Sequence, residues 1–209
     1  MSYLAFSKSA ARFLTEKAGF TPDKEVVLTY SIEVLALNLG NILFTLLLAR
    51  LLGVLPGVLS CLTAALLFRH TAGGAHSNSP WRCAAVTITT YPAMALLAVF
   101  LARLGATFID VLSAVALPAG LVTIAFLAPV DSPAAPIISQ QRRKKLKVLS
   151  LVVFALITAA VVFFRQNDWV YASQVRVCLI LTVLWVSFML SKQGHRLMRL
   201  VDRIKFKEV

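Results

Sequence analysis

The sequence predicts an all-α membrane protein with six transmembrane helices plus N- and C-terminal amphipathic surface helices. Three observations carry this. Of 209 residues, 59% are hydrophobic and only 14% charged, where a soluble domain carries about 25% charged residues. Apolar runs of about 20 residues, the length that crosses a bilayer, recur along the chain. The connections between them alternate between rich and poor in Lys and Arg. All spans follow one another through short connections, which gives one domain over residues 1–209: an amphipathic N-terminal helix (1–25), a six-span core (26–191) and an amphipathic C-terminal helix (192–209).

Residues 2–19 read as a helix lying on the membrane surface. Tyr3, Phe6, Ala10, Phe13 and Leu14 form one stripe, with Lys8, Arg12 and Glu16 opposite. Those charges, with Lys17, argue against a signal peptide. Gly19 and Thr21-Pro22 end the helix. The spans are expected at 26–49, 53–68, 83–102, 106–129, 148–164 and 172–191, with bends at Pro56 and Pro118. In the first span Tyr30, Glu33, Leu37, Gly40 and Asn41 share a polar and small seam, which reads as helix packing or as the wall of a groove. Cys61 and Cys178 fall inside spans and read as small packing residues. The last helix sets Leu197, Leu200, Val201 and Ile204 against Arg196, Arg199, Arg203 and Lys207.

Net charge is +12. In a soluble chain that would raise nucleic acid as a partner; here the cations flank apolar spans, so the anionic lipid bilayer is the expected partner and nucleic acid is not. Seventeen Lys and Arg fall on one side and four (Arg50, Arg103, Arg165, Arg176) on the other. This asymmetry puts both termini, the connection 69–82 and the long basic loop 130–147 in the cytoplasm of a multi-pass cell-membrane protein.

The connection after the second span runs Arg69-His70-Thr71-Ala72-Gly73-Gly74-Ala75-His76-Ser77-Asn78-Ser79-Pro80-Trp81-Arg82-Cys83. Ser79-Pro80 reads as an N-cap with proline at the first helical position. That puts Cys83 in the first turn of the next helix, where the helix dipole and Arg82 favour a thiolate nucleophile. His76 is its candidate base. Seven residues along one helix would hold the two about 10 Å apart, so the segment must fold back, and Gly73-Gly74 give the freedom to do so. Arg69, Gly74 and Arg82 are candidates for oxyanion or substrate support. The spacing also fits an ordinary polar turn between helices. A metal set of His70, His76 and Cys83 lacks a fourth ligand, so neither metal nor cofactor is expected. Asp131 lies on the same side as a weak candidate to orient His76, while Asp110 and Asp168 read as solvated at the opposite boundary.

Arg69, Gly74-Ala75-His76 and, seven residues on, Cys83 at the start of a span resemble the accessory gene regulator B (AgrB) family, membrane cysteine endopeptidases of bacterial quorum sensing. Residues 31–40 resemble that family's first span. Ala128-Pro129-Val130-Asp131-Ser132-Pro133, Pro136-Ile137 and Arg142-Arg143-Lys144-Lys145 resemble its long basic loop. The resemblance covers essentially the whole chain. It implies that Cys83 and His76 cleave an AgrD-like precursor peptide through an acyl-thioester, which an internal Cys or Ser of the peptide then opens to a cyclic thiolactone or lactone. It also implies an acidic tail on the precursor, for which Arg142, Arg143, Lys144 and Lys145 are candidate contacts. The same run fits a topology determinant that binds anionic lipid. A homodimer is the candidate assembly. The competing class is a small multi-span peptide transporter or exporter without covalent catalysis, with an inactive membrane scaffold as a third reading; Glu33 is the one intramembrane charge to carry the transporter reading.

Overall fold

The computed structural model describes residues 5–19, 21–77, 79–131 and 137–204. Tyr3, Asn78, Ser132, Pro133, Pro136 and Lys207 therefore lie outside the described residues. The described chain is helical throughout: α1 (Ala5–Ala18), α2 (Pro22–Leu51), α3 (Leu55–Thr71), α4 (Pro80–Ala102), α5 (Ala106–Leu127), α6 (Gln140–Arg165), α7 (Ala172–Leu190) and α8 (Lys192–Arg203). Five of these, α2 and α4 to α7, are long and apolar enough to cross a membrane. α3 has 17 residues, about 25 Å of rise, just short of the hydrocarbon thickness of about 30 Å.

By packing, the chain divides into residues 1–45 and 46–209. In the first unit, α1 buries Ser7, Ala11 and Thr15 and exposes Phe6, Phe13 and Leu14. The buried stripe is thus the small face and not the aromatic one. That is the pattern of helices in lipid, where small residues allow close approach and large apolar ones need no protein cover. Glu33 of α2 is buried, at 5% exposure.

The second unit is a bundle built around α7, which packs against α3, α4, α5, α6 and α8. α7 is apolar on every side, the mark of a helix enclosed by others; Val177, Cys178, Ile180, Thr182 and Val183 are fully buried. Two glycines let neighbours approach it. A Cβ at Gly57 of α3 would lie 2.9 Å from Cys178 Sγ, and one at Gly120 of α5 would collide with Val183. Cys61 donates to the Cys178 carbonyl at 3.7 Å, so both cysteines do pack as small buried residues. Two buried hydroxyls bond one turn back, Ser113 on Ile109 O at 2.7 Å and Thr182 on Cys178 O at 2.8 Å, which satisfies them where lipid offers no water. The outer faces of α4, α5 and α6 carry exposed Leu96, Phe100, Val115, Phe126, Val152 and Phe163.

Several boundaries differ from expectation. Pro56 sits in the first turn of α3, where its missing N–H is no loss, and so it bends no span. α5 and α4 run on through Pro118 and Pro92. The basic residues 142–147 are not loop: they form the first two turns of α6, whose N-cap Ser139 accepts from Arg142 N. Arg143 and Asp131 form an ion pair at 2.6 Å, so Asp131 is committed there and does not orient His76. Asp110 keeps a third of its side chain exposed at the opposite boundary, and it is also ion-paired. It bridges Arg165 at 2.9 Å and Arg176 at 2.5 Å, and the Arg176 side chain is only 7% exposed.

Candidate functional site

Where α3 ends, the chain must turn out of the bundle, pass the α7 terminus and start α4. Two glycines make that route. Gly73 takes φ 74° and Gly74 φ 111°, a region L side chains avoid. Val130 N donates to Ala72 O at 2.9 Å, and Gly73 pairs with Val130 in a lone parallel bridge. A Cβ at Gly73 would run into the Val130 carbonyl oxygen. Beyond Gly74, Ala75 N donates to Met189 O at 2.9 Å. The segment is thus threaded between the chain after α5 and the end of α7. His76 follows at once.

The His76 ring lies half-buried with Nδ1 3.1 Å from its neighbour's carbonyl, Ser77 O. A carbonyl only accepts, so this contact puts the ring proton on Nδ1 and leaves Nε2 as the basic nitrogen. Burial pushes the His76 pKa below the ordinary value near 6.5, reinforced by Arg69 and His195; the Ser77 hydrogen bond and the Asp202 carboxylate oppose it. The imidazole is therefore neutral at physiological pH, the form a base requires.

α4 opens at Pro80 with Ser79 as N-cap, as the sequence indicated, yet the Ser79 hydroxyl makes no cap bond. The Ser77 hydroxyl instead holds the N-cap residue itself, accepting from Ser79 N at 3.1 Å. The Cys83 amide closes the first helical bond, to Ser79 O at 3.0 Å. Cys83 itself is partly exposed and in no disulfide.

Arg69, His76 and Cys83 open on one cavity of about 90 Å³. Its remaining wall is largely apolar, with Phe68, Val86, Tyr91, Trp185, Met189 and Met198. The fold thus brings the sequence-predicted base and thiol to one cavity, although among the described residues no hydrogen bond joins them. Gly74 does not line the cavity; its place is the backbone turn, 3.4 Å from Met189 O for any added Cβ. Arg82 faces α8, with Nη1 3.8 Å from Asp202 Oδ1 and Nη2 donating to Ile204 O at 2.8 Å. Arg142, Arg143, Lys144 and Lys145 are exposed on the first turns of α6 and line no part of this cavity.

Sequence reasoning missed α8 as part of the site. Met198 lines the cavity, and Ser77 Oγ donates to Asp202 Oδ1 at 2.5 Å across a separation of 125 residues. One signal was present: Asp202 is the single acid in the basic stretch Lys192–Arg203. α8 turns one narrow side to the bundle, and Leu197 packs beside Met198 there. Gly194 and Met198 are its buried residues, while Leu200 and Ile204 are exposed.

Fold and site together define a polytopic helical membrane protein with a thiol and an imidazole lining one cavity. Residues 7–190 match the family model for Accessory gene regulator B, and the chain belongs to the AgrB family. It is similar to "Putative AgrB-like protein 2" of Clostridium perfringens (strain 13 / Type A), 23% identical over 203 residues and covering 94% of each chain. It is similar to the same extent, 23% over 203 residues and 94% of each chain, to "Putative AgrB-like protein" of Clostridium perfringens (strain SM101 / Type A). No solved structure matches. Membership supports a role in processing the peptide of accessory gene regulator quorum sensing, and the family is associated with an AgrD-like propeptide.

Proposed function

We propose that the chain is a cysteine endopeptidase that cleaves the C-terminal part from a quorum-sensing propeptide and passes the remainder on as a cyclic thiolactone or lactone. The observation that carries this reading is the single cavity shared by Cys83, His76 and Arg69. His76 Nε2 takes the thiol proton as Cys83 Sγ attacks a backbone carbonyl carbon of the propeptide. Arg69 offers charge to the tetrahedral oxyanion. When that intermediate collapses, the C–N bond breaks and His76 returns its proton to the leaving amine, leaving an acyl-thioester on Cys83.

A thiol or hydroxyl within the same peptide then attacks the thioester carbonyl. The ring closes, and the Cys83 sulfur leaves and recovers its proton through His76. Thioester exchange is nearly thermoneutral, so proximity and exclusion of water decide between ring closure and hydrolysis. The apolar wall of Phe68, Tyr91, Trp185 and Met189 favours closure by keeping water out.

In this reading α3 is the sixth crossing, and the site faces the cytoplasm with both termini. The same end of the bundle carries Arg69, Arg82, the α6 cations and those of α8, whereas Arg165 and Arg176 meet at the opposite end. The test is co-expression of a small precursor with wild type, Cys83→Ala and His76→Ala, followed by immunoblotting and mass spectrometry. Both variants should lose cleavage by at least about a thousandfold at normal membrane levels. Wild-type processing by Cys83→Ala would end the proposal.

A further inference from the structure

The helix that closes the site lies beyond the stretch matched by the family, which stops at residue 190 while α8 begins at Lys192. α8 is held at both ends. Its start is capped by Ser191, whose hydroxyl accepts from Gly194 N at 3.3 Å, and a Cβ at Gly194 would come within 2.7 Å of Met189 Cα. Its end is gripped by Arg82 of α4, which donates to the Ile204 carbonyl at 2.8 Å. Between these anchors Met198 enters the cavity wall and Asp202 reaches the connection that carries His76.

We propose that Asp202 is a positioning residue of this site: by accepting from the Ser77 hydroxyl while pairing with Arg82, it fixes the segment that carries His76 to the cavity it shares with Cys83. The inference rests on the peptidase reading and deepens it. Its geometry is a short relay. Asp202 accepts the Ser77 proton at 2.5 Å; the same Ser77 oxygen accepts from Ser79 N at 3.1 Å at the entrance to α4; and the Ser77 carbonyl faces His76 Nδ1 at 3.1 Å. Ser77 is 5% exposed, and the Asp202 and Arg82 side chains are 18% and 21% exposed. Charge-assisted bonds screened this little from each other are the strong ones. One residue, Ser77, thereby has its side chain tied to α8 and its backbone tied to the base. A backbone carbonyl and the acid behind it take the place that a carboxylate holds in a three-membered acid–base array.

Among the described residues, the charged and titratable groups that line the cavity with His76 or act on its charge are Arg69 from α3, Cys83 and Tyr91 from α4, and Asp202 and His195 from α8. Asp202 is the acid among them, and its charge favours imidazolium. Neutralising it has two consequences: the segment loses its anchor, and the acid limb of the pH profile moves to lower pH.

The experiment measures cleavage kinetics against pH for wild type, Asp202→Asn, Asp202→Glu and Cys83→Ala in membranes, each normalised to inserted protein. Asp202→Asn should lower kcat about tenfold or more, because small misplacements of a reacting group carry losses of that size. KM should change little, the acid limb should shift down, and Asp202→Glu should recover most of the rate. An Asp202→Asn enzyme with wild-type kcat and pH profile overturns the inference, and so does a rate loss with an unmoved pH profile and no recovery in Asp202→Glu. Should Asp202→Asn fail to accumulate, Ser77→Ala removes the same bond, and unaltered kcat there overturns the inference as well. Processing by Cys83→Ala would instead sink the peptidase reading itself, so the two failures are distinguishable.

Discussion

At one end of the bundle Asp110 of α5 bridges Arg165 of α6 and Arg176 of α7; at the other, Asp202 of α8 bridges Arg82 of α4 and Ser77 of the preceding connection. The device is the same, a carboxylate joining two donors where helices converge. What it joins differs. At the first end every partner lies on a helix, and Arg176 is further held by Ser113 at 3.3 Å. Nothing there has to be aimed, and the cluster simply ties three helices together. At the second end one partner lies on a segment with two successive residues at positive φ, carrying a half-buried imidazole beside a cavity. The lesson is that an ion pair between regular elements serves cohesion, while the same pair anchored on irregular backbone can set the geometry of a reacting group.

The largest break in this comparison should come at Gly73. Gly73→Ala drives a methyl into the Val130 carbonyl at φ 74°, and strain of roughly 1–3 kcal/mol from the backbone alone should be joined by displacement of His76. Cleavage should fall below detection in protein that still inserts. Gly105→Ala is the control from the opposite end, with φ 94° but nothing within 4 Å. It should lower stability by about 1–3 kcal/mol and leave kcat per inserted molecule intact. Equal loss of kcat in both variants would remove the distinction between the ends.

Asp110→Asn should come next. It leaves the buried Arg176 without its carboxylate, so the detergent-solubilised protein should melt at lower temperature. Its cleavage rate per folded molecule and its pH profile should match wild type; a shifted profile would mean the far cluster reaches the site.

The pH response of the wild type sharpens the picture further. Burial lowers the His76 pKa from about 6.5, so the neutral base persists below pH 6.5. Cleavage should be lost only as pH falls through that lower value. The same shift has the opposite sign to that of an ion-paired histidine: stability from this group is complete above about pH 6.5 and declines as pH falls toward the folded pKa. An acid limb at or above 6.5 would contradict a desolvated base.

The smallest effect belongs to the cations of α6. Changing Arg142, Lys144 and Lys145 together to Gln should slow cleavage a few-fold at low salt, through weaker attraction of an acidic peptide segment, with insertion unchanged and the difference fading as salt rises. No difference at low salt would leave this run as a topology and lipid determinant alone. Arg143 is excluded because it already pairs with Asp131.

Much of the fold was legible from residues. Apolar run length located the helices, and Gly73-Gly74, His76, Ser79-Pro80 and Cys83 marked the site because each has a local physical reason to be where it is. The errors also have local reasons. The stretch Gln140–Lys147 reads as loop by charge, yet it is helix because Lys, Arg and Gln are good helix formers and Ser139 caps them. Pro56 reads as a bend within a span, yet it sits in the first turn of α3, where a missing N–H costs nothing.

Hydropathy was thus enough to indicate a helical membrane protein, and the residues from Arg69 to Cys83, through their family resemblance, were enough to mark a candidate site, since each is set within a helix or a single connection. Which side chains stand behind that candidate site was decided by packing. Asp202 reaches Ser77 across 125 residues, with α8 brought to that point by the close seat of Gly194 on the end of α7 and by the grip of Arg82 on Ile204. Asp131, far nearer in sequence, is held by Arg143 instead. A contact between distant elements depends on how whole helices settle against one another, and no local pattern encodes it.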